Sequence, residues 1–198
     1  MAAGWLGIAG PDFTVAVNLS PHQLIDPGLL DIVRSALLRS RLPATSLMLE
    51  VTEGALIEDP EAATEALAKL RALGVRISLD DFGTGYSSLA YLAKFPVDEL
   101  KVDRVFVRDI ERDPRTRALA EGIVRIGHAL GMRVLAEGVE TAGQLRILTG
   151  AGCDCYQGFI AAPAESPEKA TERLRDRTLG RDISADAALA AGRSISWG

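Results

Sequence analysis

A rhythm constrains this chain more than any single motif. A short apolar run ends in a polar residue and is followed by a helix signal, and the pattern recurs at spacings of roughly 30 residues. Val15 to Asn18 is the first run; Ser20, Pro21 and Gln23 then read as a capped helix start, predicted to continue to about Ser40 before Pro43. Leu47 to Val51 is the second, and Asp59 with Pro60 opens a helix whose Ala63, Leu67, Leu70 and Leu73 keep helical spacing until Gly74. Val75 to Leu79 follows, with a helix predicted near Ser87 to Lys94. Glu99 to Asp103 precedes a helix capped by Asp113 and Pro114 and ended by Gly131. Met132 to Ala136 precedes a capping box at Thr141 and Gln144, and Cys155 to Ile160 precedes a helix opened by Ser166 and Pro167.

Strands alternating with helices in this way predict an α/β fold with a parallel sheet covered by helices, either an open doubly wound sheet or a (β/α) barrel. No Gly-rich phosphate loop follows the first strand, which argues against a dinucleotide-binding sheet. The barrel is favoured by the polar residues that end successive strands: Asn18, Glu50, Asp80 with Asp81, Lys101 with Asp103, Glu137 and Gln157. In a barrel such ends gather on one face, where the chemistry is done. Each residue taken alone has an ordinary reading as a cap, turn or ion-pair group. Recurrence at six strand ends is what favours a site.

Carboxylates held side by side repel unless a cation sits among them. The candidate ligands are all oxygen donors, so the hard cations Mg²⁺ or Mn²⁺ are expected rather than zinc. Adjacent Asp80 and Asp81 suit two neighbouring ions of the kind that clamp a phosphodiester. Lys101 is expected to neutralise a phosphate or orient a water, which leaves Glu137 as the candidate general base.

Composition narrows the partners. An apolar content of 47% supports a sizeable core, while a net charge of −5 with no basic block speaks against a surface for duplex nucleic acid. A nucleotide ligand would have to be small and locally held. No apolar run approaches the ~18 residues of a membrane helix, and Met1 to Gly10 lacks the basic start of a secretory signal, so a cytoplasmic protein is expected. Cys153 and Cys155, in a Cys-Asp-Cys run, suit neither a disulfide nor, with only His22 and His128 in the chain, a zinc site; packing is their expected role.

Six motifs resemble those of the EAL-domain phosphodiesterases, over about residues 14 to 175: Val17 to Ser20, Leu49 to Glu53, Leu79 to Leu89, Leu100 to Asp103, Ala136 to Thr141, and Cys153 with Asp154 followed by Gln157 and Gly158. The resemblance implies a TIM-like barrel that hydrolyses cyclic di-GMP to pGpG with two Mg²⁺ or Mn²⁺ ions. By the same resemblance, Asn18, Glu50 and Asp80 hold the first metal, and Asp80 bridges to a second that Asp81 also holds. Lys101 helps hold the water, Glu137 is its base and Gln157 contacts the site. Glu53 anchors the loop from Asp81 to Ser88, Asp103 and Glu140 belong to the supporting set, and Phe82 to Ser88 offers a homodimer contact.

One departure matters. In the family two further strands come first, and the second carries the Glu-Ala-Leu tripeptide whose Glu binds metal. Residues 1–198 hold about six of the eight β/α units, and their one such triplet, Glu65 to Leu67, follows no strand and falls inside the helix capped by Asp59. Weak or absent catalysis is therefore expected of this chain alone. The competing expectations are a cyclic di-GMP sensor without turnover and a dimerising partner module. Residues 1–13 are expected to be a flexible leading segment, 14–177 the barrel domain and 178–198 a mobile tail.

Overall fold

The computed structural model describes residues 2–9, 13–83, 89–161, 166–176 and 194–197. The chain divides into two compact units, Met1–Glu99 with Arg193–Gly198, and Leu100–Gly192.

The first unit opens with helix α1 (Ala2–Ala9), whose buried Trp5 meets Phe13 edge-on at 6.2 Å between ring centroids. Strands β1 (Thr14–Leu19), β2 (Leu47–Thr52) and β3 (Arg76–Phe82) pair in parallel, β1 with β2 and β2 with β3. Leu47 to Val51 are all buried, as a strand covered on both faces requires. A further strand, Ser194–Trp197, pairs in parallel with the other side of β1, at a place where composition indicated no element. The stretch of the expected tail before that strand lies outside the described residues.

The helix expected from Ser20 to Ser40 is two helices. The capping box forms on α2 (Pro21–Leu24), where Ser20 and Gln23 satisfy each other's backbone N–H groups, but the chain leaves the helix at Ile25 and resumes as α3 (Leu29–Ser40). Pro27 disfavours helical geometry at Asp26, and Asp26 Oδ1 instead accepts the Gly28 N–H at 2.7 Å. Helix α4 (Glu53–Glu58) begins directly at the end of β2. Helix α5 (Pro60–Ala72) has Asp59 as its N-cap, buries Ala63, Leu67 and Leu70, and ends before Gly74 at φ +90°. The short helix α6 covers Leu89–Leu92, inside the stretch expected to be helical. Asp98 joins elements within this unit, accepting from Ile77 N–H at 2.9 Å and from Arg71 Nη2 at 2.8 Å.

In the second unit the strand order is β4 (Glu99–Val102, whose first residue belongs to the preceding unit), β5 (Arg133–Ala136), β6 (Cys155–Tyr156), with β5 and β6 parallel. Helix α7 (Arg104–Arg108) follows β4, α8 (Pro114–Ala129) leads to β5, α9 (Ala142–Gly150) leads to β6, and α10 (Pro167–Asp176) comes last. The caps at Asp113 and Thr141 form as expected, the latter as a reciprocal box with Gln144. Gly127 lets α8 lie close on β5, since a Cβ there would be 2.6 Å from Val134 Cγ2. The last strand is shorter than the run from Cys155 to Ile160. Gly158 takes φ +151°, yet the Gln157 N–H still reaches Ala136 O and the Val139 N–H reaches Gln157 O. Cys153 and Cys155 are not joined in a disulfide, and burial pushes the Cys153 thiol up to about 12.

Candidate active site

Strand register decides which polar residues share a face. Asn18 pairs with Glu50, Glu50 with Ser78, and Asp80 lies two residues beyond Ser78, so the side chains of Asn18, Glu50 and Asp80 project from the same side of β1, β2 and β3. They stand toward the C-terminal ends of their strands, with Glu50 only 6% exposed and Asn18 open to solvent. Lower on the same face, Ser78 Oγ donates to the buried Glu99 carboxylate at 3.1 Å, and Arg76 donates to Thr14 Oγ1.

Asp81 departs from strand geometry. Its φ of +58° is left-handed, unusual for a residue with a Cβ, and its N–H is held by Asp80 Oδ1 at 2.9 Å. Glu53, buried at the first turn of α4, accepts the Gly83 N–H at 3.1 Å and so ties down the chain two residues after Asp81. The remainder of the expected loop, Thr84 to Ser88, lies outside the described residues.

The second unit holds a polar cluster of its own. Lys101 is 2% exposed and its Nζ lies 2.6 Å from Glu137 Oε1; Gln157 Nε2 donates to that same oxygen at 2.9 Å. Glu137 itself is 17% exposed, and the Glu137 N–H bonds Val102 O, which fixes its backbone beside the end of β4. Two donors on one oxygen hold the carboxylate in a single orientation, and burial strengthens both bonds. Asp103, expected among the supporting residues, is the N-cap of α7, accepting the Val105 N–H at 2.7 Å. Glu140 is exposed and offers its backbone N–H to Gln144 Oε1.

Glycines are the part of this cluster that polar-residue spacing misses. Gly138, at φ +66°, sits against Arg104, and a Cβ on Gly158 would collide with the backbone of Val139. The Glu65 triplet lies where expected, on α5, with Glu65 exposed and paired to Lys69 at 2.7 Å.

Among the described residues no three carboxylate, histidine or cysteine groups converge as a chelating set on their own. The strand-end donors nonetheless have the right chemistry for a hard cation. Mg²⁺ in particular keeps several waters and takes only one or two carboxylates, the rest of its shell coming from amide or phosphate oxygens.

Parallel strands under helices, with acids and an amide at strand ends of the first unit and a buried Lys–Glu pair at strand ends of the second, define an α/β protein of the β/α class. The chain belongs to the EAL domain family, whose model matches residues 1–164. Its fold is that of the family's TIM-type barrel domains, as two solved structures show. One is a complex of the MucR phosphodiesterase with c-di-GMP (TM-score 0.81, 44% identity, 85% of this chain and 68% of the other). The other is the EAL domain of Mycobacterium smegmatis DcpA (TM-score 0.83, 32% identity, 88% and 78%). A Klebsiella pneumoniae BlrP1 complex with manganese and cyclic di-GMP is also similar (TM-score 0.73, 34% identity, 80% and 41%). In sequence, the Pseudomonas aeruginosa bifunctional diguanylate cyclase/cyclic di-GMP phosphodiesterase MucR is 46% identical over 164 residues, 81% of this chain. The chain spans 24% of that relative's length. No helix among the described residues is long and apolar enough to cross a membrane.

Proposed function

We propose that residues 14–177 form a cytoplasmic domain that hydrolyses cyclic di-GMP to pGpG with the help of divalent cations, two Mg²⁺ or Mn²⁺ per site. The observation that carries this is the register of β1, β2 and β3, which gives Asn18, Glu50 and Asp80 a common face at the strand ends. Two of the similar solved structures are complexes with cyclic di-GMP, in one case with manganese.

Asn18, Glu50, Asp80 and Asp81 would hold the cations. When bound, these supply Lewis-acid stabilisation of phosphoryl charge and an acidified water. Glu137 takes the proton from the attacking water, and its carboxylate is oriented by Lys101 Nζ and Gln157 Nε2. Lys101, 2% exposed and 2.6 Å from Glu137, orients the base. Glu53 sets the path of the chain past Asp81, and the adjoining segment Phe82 to Ser88 is the proposed homodimer contact.

A second reading, ligand binding without turnover, is favoured by the described residues, which hold no group of three carboxylate, histidine or cysteine side chains able to chelate a metal by themselves. One experiment separates the two. The purified chain is incubated with cyclic di-GMP and Mn²⁺ and assayed for pGpG, and separately titrated with cyclic di-GMP in Ca²⁺. Product establishes the phosphodiesterase, binding without product establishes the sensor, and neither removes both in favour of a partner module.

A further inference from the structure

We infer that Arg104 is a substrate-binding residue, the cation that receives anionic phosphate oxygens of the nucleotide beside Glu137. The inference rests on the proposed function and adds to it a residue that spacing of acids and amides does not reveal.

A cyclic dinucleotide brings two negative charges, and the buried cation of the second unit, Lys101, is already neutralised by Glu137. Arg108 is paired with Asp109, Arg125 with Glu121, and Arg133 donates to Cys155 Sγ. Arg104 differs from these. It stands two residues past the end of β4, is exposed, and makes no ion pair with any described residue. Its stem is seated on the residue next to the proposed base. A Cβ built on Gly138 would lie 2.7 Å from Arg104 Cβ, 3.6 Å from its Cα and 3.9 Å from its Cγ. Gly138 therefore leaves room for the arginine stem against the backbone that carries Glu137, and its φ of +66° is a conformation that glycine adopts without strain. Asp103 fixes the approach from the other side, because its cap on Val105 N–H sets the first turn of α7 on which Arg104 sits.

An exposed guanidinium with its root fixed presents a forked donor suited to phosphate, at little ordering cost on binding. Alanine at 104 removes charge-assisted hydrogen bonds and leaves the Lys101–Glu137–Gln157 cluster in place.

The test measures cyclic di-GMP affinity in Ca²⁺ for the wild type, Arg104→Ala, Arg104→Lys and, as a charge-matched control, Arg112→Ala, which removes another exposed arginine of the same unit. Arg104→Ala is expected to bind about 10-fold more weakly or worse, with a shallower salt dependence. Arg104→Lys is expected to recover part of the loss, and Arg112→Ala to stay within twofold of wild type. Binding by Arg104→Ala within twofold of wild type, or an equal loss in Arg112→Ala, overturns the inference. A wild type that does not bind cyclic di-GMP overturns the proposed function instead. Arg104 is then tested with pyrophosphate as the probe, by following phenylglyoxal modification residue by residue with mass spectrometry. Slower modification of Arg104 than of Arg112 in pyrophosphate supports the anion site, and equal rates remove it.

Discussion

Glu137 Oε1 accepts from both Lys101 and Gln157, and that geometry makes the residue structural as well as chemical. Glu137→Gln is expected to lower turnover at least ~100-fold, the usual worth of a general base. It should also cost about 2–3 kcal/mol in a urea titration, below the ~3–5 kcal/mol of a fully buried pair because Glu137 retains some exposure. Unchanged turnover would remove Glu137 as the base, and unchanged stability would mean that Lys101 finds a replacement partner. At Cys153 the thiol is pushed up to about 12 by burial, so at pH 8 only about one molecule in 10⁴ carries the reactive thiolate. Alkylation of the native chain with iodoacetamide is expected to spare Cys153 until urea unfolds it. Rapid native labelling would contradict the packing. The identities of Asn18, Glu50, Asp80, Lys101 and Glu137 as strand-end groups could be read from spacing alone. That two of them are one ion pair sharing an oxygen with Gln157 could not, because distances between strands are set by register and not by sequence separation.

Helix α8 offers a matched pair of glycines. A Cβ at Gly122 meets nothing within 4 Å, whereas one at Gly127 would press on Val134 Cγ2 at 2.6 Å and Leu100 Cδ2 at 3.3 Å. Gly122→Ala should therefore gain about 0.5–1 kcal/mol from helix propensity, while at Gly127 overpacking of ~1–3 kcal/mol offsets or exceeds that gain. Paired thermal melts decide it, and equal shifts would refute the close packing of α8 on β5. The same helix carries a pH signature. Hydrogen bonds from Thr116 and from the Arg115 and Thr116 backbone lower the Asp113 carboxyl below its ordinary value. A depressed folded value means the cap contributes fully above the unfolded value, near pH 4, and fades as pH falls through the lower one. The Tm gap between wild type and Asp113→Ala is expected to close at low pH, and a gap that persists there would exclude the carboxylate as its cause. Caps were visible in sequence because they depend on neighbours three residues apart. The break between α2 and α3 falls at Pro27, a local signal that the expectation of one helix to Ser40 does not use.

For the molecule as a whole, a ligand that binds only the folded state raises stability by mass action. Cyclic di-GMP with Ca²⁺ at 100 times its Kd should add about 2.7 kcal/mol, and no shift in the melt would count against a nucleotide site. Local alternation of apolar runs with capped helices fixed the α/β class, and the order of the motifs fixed the family, since both are written in short-range periodicity and residue type. Other properties depend on contacts between residues far apart in the chain. Among them are the shared face of Asn18, Glu50 and Asp80, the left-handed turn at Asp81 tied to Glu53 through Gly83, and the pairing of Ser194–Trp197 with β1. The seat of Arg104 on Gly138 is of the same kind. Such contacts form only when strands choose a register and helices settle on them, a choice made by packing and hydrogen-bond satisfaction over the folded chain and recorded in no local pattern.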